Sequence, residues 1–63
     1  MITYEITETG NIKNLPGPRT FNLAGLEQAK TRAAGMQCYS DTVMVVRCNG
    51  RTVARRHDGV WLS

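Results

Sequence analysis

Apolar and polar side chains alternate with a period of two at the start of the chain, a helical period follows, and dense β-branched runs between turn dipeptides close it. At the start, "ITYEITE" sets Ile2, Tyr4 and Ile6 against Thr3, Glu5 and Thr7, the pattern of a strand with one buried face. Thr9 and Gly10 offer a turn into a second short strand, "NIKNL", with Ile12 and Leu15 as its apolar positions. "PGP" at residues 16–18 ends any regular element, because proline fixes its backbone and has no N–H to donate.

The middle stretch, "FNLAGLEQAKTRAAGM", predicts a helix. Asn22 is placed as its N-cap, and Phe21 with Leu26 has the spacing of a hydrophobic staple. Leu23, Leu26, Ala29 and Ala33 form one apolar stripe, with Glu27, Gln28, Thr31 and Arg32 on the other side. Gly35 is expected to stop the helix in the left-handed region. Gly25 in the first turn has no evident reason. Two alanines on the stripe permit close approach to a sheet.

Beyond the helix, "DTVMVVRC", "RTVARRH" and "VWLS" are strand-like runs separated by Asn49/Gly50 and Asp58/Gly59. Both dipeptides suit two-residue hairpin loops, whose central residues need positive φ. The expected fold is α+β, a single domain over residues 1–63. Its antiparallel sheet has three to five strands, a C-terminal three-stranded meander plus an N-terminal strand or hairpin, with one helix packed on one face.

The two turns imply a register that sorts side chains between faces. Cys48 opposes Arg51, Arg47 opposes Thr52, Val46 opposes Val53 and Val45 opposes Ala54. Farther on, His57 opposes Val60, Arg56 opposes Trp61 and Arg55 opposes Leu62. One face then carries Met44, Val46, Cys48, Val53, Val60 and Leu62, with Arg51, Arg55 and His57 toward its margins. Being the more apolar, it is expected under the helix, with Arg55 snorkelling to an edge. Val43, Val45, Arg47, Thr52, Ala54, Arg56 and Trp61 are expected on the open face.

Charge sharpens this picture. The chain carries a net charge of +3. Residues 1–46 balance Lys13, Arg19, Lys30 and Arg32 against Glu5, Glu8, Glu27 and Asp41, so the excess lies in residues 47–63, with Arg47, Arg51, Arg55 and Arg56 against Asp58. Arg47, Arg56 and Trp61 become the candidate binding patch, with Thr52, Arg51 and Arg55 around it. Arginine beside an aromatic ring suits a protein interface, and it also suits stacked bases with phosphates. An exposed Arg56–Trp61 cation–π contact is worth about 0.5–1 kcal/mol. The competing structural reading has Trp61 capping the core with Arg56 laid over it. Lys13 and Arg19, in the long stretch before the helix, either extend the basic surface or belong to a connector folded over the helix start.

Other chemistry is sparse. Cys38 and Cys48, joined by extended chain, would sit roughly 30 Å apart at about 3.3 Å per residue, so they are read as free thiols in a reducing compartment. Cys38, Cys48 and His57 lack the spacing of a metal site, and Cys48 with His57 is no nucleophile pair. The glycine-rich pieces match no phosphate-binding motif. No catalytic residue, metal or cofactor is expected, and a chain this short has little room for a substrate cleft. No apolar run is long enough to span a membrane, and the start is no secretory signal, which leads to the expectation of a cytoplasmic protein.

The helix followed by "VMVVRCNGRTVARRHDGVWLS" resembles many short uncharacterised bacterial and bacteriophage proteins in which a strand–Asn-Gly–strand hairpin follows a helix. That resemblance covers about half the chain and implies an accessory or inhibitor protein acting by contact. The expected function is therefore a non-enzymatic regulatory or inhibitory module binding a protein partner, and a homodimer because of its thin core and open sheet edges. Nucleic-acid binding through the Arg/Trp-bearing face is the alternative.

Overall fold

The computed structural model describes residues 1–62. Ser63, expected at the end of the last strand, lies outside the described residues. The elements run β1 (Ile2–Thr9), β2 (Arg19–Leu23), α1 (Leu26–Met36), β3 (Val43–Cys48), β4 (Arg51–His57) and β5 (Val60–Leu62). The strands form one antiparallel sheet in the order β2-β1-β3-β4-β5, and α1 packs on one face of it. This is the α+β class expected from the sequence.

β1 follows its alternation to the end: Tyr4, Ile6 and Glu8 are buried on the helix side. Its hairpin partner differs from the expected one. "NIKNL" is not a strand; residues 10–18 make a connection, with Asn14 at φ 65°. The partner is β2, which sets Phe21 opposite Tyr4 and Leu23 opposite Ile2. Pairing there brings Phe21 and Leu23, two large apolar side chains of one parity, to the core, whereas "NIKNL" sets Ile12 and Leu15 on opposite faces and would have brought only one. Asn22 is consequently not an N-cap; its side chain accepts a hydrogen bond from the Thr3 hydroxyl across the hairpin (2.7 Å).

The helix therefore begins later than expected, and the Phe21–Leu26 staple does not describe its start. Gly25 is the N-cap and lies outside the helix, while Gln28 turns back to accept the Ala24 N–H (3.2 Å). At the other end Gly35 does not stop the helix, which continues to Met36 and gives way to extended Gln37. Gly35 in the helix costs roughly 1 kcal/mol relative to alanine. Ala29 and Ala33 are fully buried, and their small side chains let α1 lie close to β1 and β3, over the core that holds Ile6, Met44 and Val46.

Both predicted tight turns form, with Asn49, Gly50, Asp58 and Gly59 all at positive φ (53°, 78°, 52° and 76°). Between them β4 departs from simple pairing. Cys48 opposes Arg51 and Arg47 opposes Thr52, but Val46 opposes Ala54 and Val45 opposes Arg55. Val53 is thus an extra residue, a β-bulge, and it packs against the core beside Ala54. Every residue of β4 and β5 beyond the bulge faces the side opposite to that expected.

A buried carboxylate joins these elements. Glu8 is 5% exposed, at the inward end of β1. It accepts hydrogen bonds from the backbone N–H of Cys38 (3.1 Å) and Tyr39 (3.0 Å) and from the Thr42 hydroxyl (2.6 Å). Gln37 Nε2 donates to the Thr42 hydroxyl oxygen (3.2 Å) and carbonyl (3.1 Å), and Arg56 Nη1 donates to Gln37 Oε1. Burial alone pushes the Glu8 carboxyl upward, yet the bonds from Thr42, Cys38 and Tyr39 outweigh it and leave its pKa below the ordinary value.

The unfolded chain titrates this group near about pH 4.3 and the folded chain at lower pH. Its stabilisation is complete above that range and is lost as pH falls through the folded pKa. Glu8→Gln should lower stability at pH 7 by about 2 kcal/mol and flatten the acid limb of a urea-unfolding series between pH 5 and pH 2. An unchanged acid limb would assign that limb to other carboxyls. Gly35→Ala meets open space, since no atom lies within 4 Å of the added methyl. It should raise stability by about 0.5–1 kcal/mol in the same assay.

Candidate binding face

The bulge decides which side chains reach solvent on the face away from α1. Arg47 is exposed there, with Thr52 opposite it, as expected. Arg51 pairs with Cys48 at the helix-side margin, also as expected. Arg55, expected under the helix, lies on the open face opposite Val45, which removes the need for it to snorkel. His57, Val60 and Leu62 move to the open face with it. Arg56 and Trp61 go the other way. They are cross-strand partners, but on the helix side with Met44, Val46 and Ala54.

The expected Arg47/Arg56/Trp61 patch is therefore not assembled. Arg56 is engaged with Gln37. Trp61 is half-buried and packs against the core, and the cation over its ring is Lys30 of α1, 5.6 Å from the centroid. This matches the competing reading of Trp61 as a cap on the core, with a helix lysine rather than Arg56 above it.

The open face is organised in cross-strand rows. One row is polar, Thr20–Glu5–Arg47–Thr52, and borders a hollow lined also by Thr3 and Asn49 near the β3–β4 turn. Arg47 donates to the Gly50 carbonyl across this turn (3.1 Å). The next row is mixed, Thr7–Val45–Arg55–Leu62. Beyond it come Thr9 with Val43 and His57 with Val60. Val43 and Val45 are half-buried, whereas Val60 and Leu62 are 57% and 50% exposed. Four branched aliphatic side chains thus share the solvent face with Arg47, Arg55 and His57, and the acid among them is Glu5.

Aromatic side chains avoid this face. Tyr4, Phe21 and Trp61 are on the helix side and Tyr39 is in the α1–β3 loop. Lys13 lies in the connection, and Arg19 on the helix side at the start of β2. Pro16 and Gly17 lie near Met36 and Cys38, beside the helix C-terminus rather than its start.

Cys38 and Cys48 are free thiols, the first in the α1–β3 loop and the second ending β3. Among the described residues no three His, Cys, Asp or Glu side chains gather as metal ligands, and no helix is long and apolar enough to cross a membrane. His57 Nδ1 lies 3.9 Å from Asp58 Oδ2 on the exposed turn. Glu8 has no role among the sequence expectations, although Ile2, Tyr4, Ile6 and Glu8 share one parity and that parity marks Glu8 as inward. No family model matches the chain, and no curated protein matches it.

The face assignment has a direct check. Trp61→Ala should cost about 2 kcal/mol in urea unfolding, because a half-buried ring leaves the core. Arg47→Ala and Arg55→Ala should each stay within about 0.5 kcal/mol. A neutral Trp61→Ala would mean that the ring faces solvent.

Proposed function

We propose that this chain is a non-enzymatic binding module that regulates or inhibits a protein partner by covering part of its surface with the open sheet face. The supporting observation is two aliphatic pairs on the solvent side, Val43/Val45 on β3 and Val60/Leu62 on β5, with Arg55 and His57 of β4 between them and Arg47 beyond Val45. Exposed aliphatics interleaved with arginine suit a protein interface. The arginines select acidic groups on the partner.

Base stacking has less support, because single-strand binders rely on aromatic platforms and the four aromatics lie elsewhere. A homodimer built on this face would set arginines against arginines, so self-association is better suited to the sheet edges. The two free thiols fit a reducing compartment such as the cytoplasm.

The test places a photo-crosslinking residue at Thr7, inside the mixed row, and compares the captured partner with variants. Leu62→Asp should reduce capture at least ten-fold, Arg55→Ala a few-fold, and salt between 50 and 200 mM should have a shallow effect. The proposal fails if the chain instead binds oligonucleotides with steep salt dependence, relaxed by about one unit of slope in Arg47→Ala, and Leu62→Asp changes nothing.

A further inference from the structure

We propose that the free edge of β2 and the groove beside it take up an extended peptide segment with an acidic C-terminal end, added to the sheet as a further antiparallel strand. β2 pairs with β1 on one side and with no strand on the other. Among the described residues the backbone hydrogen bond outside helix and strand ladders is Ala29 N–H to Gly25 O, so none covers this edge. Such an edge displays a row of unpaired donors and acceptors that a second extended chain can satisfy.

The adjoining groove gives that chain a place for its side chains. It lies along α1 beside Leu23 of β2, and its lining includes Glu27, Thr31, Arg32, Gly35 and Met36. A strand laid along β2 points alternate side chains toward the helix side, and therefore into this groove. Gly35 fits the same purpose. It weakens the helix, meets open space where a side chain would be, and lines the groove that such a side chain would fill.

Charge then sets the direction. Arg19, Phe21 and Leu23 share the helix side of β2. The Arg32 guanidinium lies 4.9 Å from the centre of the Phe21 ring, and neither Arg19 nor Arg32 is paired with a carboxylate among the described residues. Glu27, at the Leu23 end, already faces Lys30 (3.8 Å). Arg32 in the groove, with Arg19 in the adjoining hollow beyond Met36, thus makes this end cationic and without a carboxylate partner among the described residues. An incoming strand antiparallel to β2 finishes there, so its terminal carboxylate, or an acidic residue close to it, meets the two guanidiniums. This surface is separate from the open sheet face, and the proposal does not rest on that face binding anything.

An immobilised library of random eight-residue peptides with free C-terminal carboxylates provides the probe. Enriched peptides should alternate apolar side chains and end in an acidic group, and their amide shift changes should map to β2 and the groove side of α1. For the best of them, N-methylation of alternate peptide bonds should weaken binding about ten-fold in one parity and little in the other. Amidating its C-terminus and Arg32→Gln should each weaken binding about three-fold, and together no more than either alone. Gly35→Leu should weaken it at least ten-fold while the melting temperature holds or rises. The proposal is overturned if no peptide is enriched, if enriched peptides shift Val43, Val45, Val60 and Leu62 instead, or if N-methylation is without effect in both parities.

Discussion

One unpaired residue, Val53, sets the orientation of the C-terminal third of the chain. The Asn49/Gly50 turn fixes pairing at one end of the β3–β4 hairpin, so Arg47 faces Thr52. Core burial sets the other end, where Ala54 lies inward opposite Val46 and is 1% exposed. Simple pairing would have put Val53 there and turned Ala54 outward. The bulge satisfies both constraints by keeping Val53 and Ala54 on the helix side. The remainder of β4 and all of β5 then turn over by one position.

Two polar arrangements depend on that turnover. Because Arg56 faces the helix, it can reach Gln37 and close the chain of hydrogen bonds that runs through Thr42 to Glu8. This chain has a guanidinium at one end and a carboxylate at the other. It ties the ends of β1 and β4 to the loop that leads from α1 into β3. A buried carboxylate is tolerated only when its lone pairs are occupied, and here two backbone N–H groups and a hydroxyl occupy them. Because Trp61 faces the helix too, its ring meets Lys30 and seals the core margin. The same residues placed outward would have lost both sets of partners.

The parts of this fold that were legible in the sequence are those decided locally. Positive-φ dipeptides specify tight turns, a period-two run specifies β1, and the β-branched runs between the turns specify β3 and β4, so the α+β class follows. Elements decided by competition were harder to place. "RTFNL" has no alternation strong enough to exclude a helix start, and it becomes a strand because β1 needs a partner that carries Phe21 and Leu23. Gly25 looked unfavourable only while it was placed inside the helix. The bulge is illegible because "RTVARR" holds no glycine or proline, and what it secures, burial of Ala54 opposite Val46, is settled only in the assembled core. Simple pairing puts Arg56 and Trp61 on the open face and Val60 and Leu62 under the helix, the reverse of the structure.

Residue choices that do nothing for the fold carry information about what the fold is for. Leu62 and Val60 on an exposed face bury too little apolar area to contribute much to a monomer. A single exposed aliphatic is ordinary, but Val43 and Val45 on β3 and Val60 and Leu62 on β5 form two pairs on one face, with Arg55 and His57 of β4 between them. Gly35 shows the same tendency with the opposite sign, since it gives up helix stability at a position where a larger side chain would meet open space. Neither observation follows from the turns, the bulge or the Glu8 cluster, all of which would remain with threonines in place of Val60 and Leu62 and alanine in place of Gly35. The scaffold and its surfaces are therefore separable. One set of residues holds a helix against a sheet, and a second sets aliphatic side chains among the polar ones of the far face and leaves one edge grooved, which is the division the proposed contacts would use.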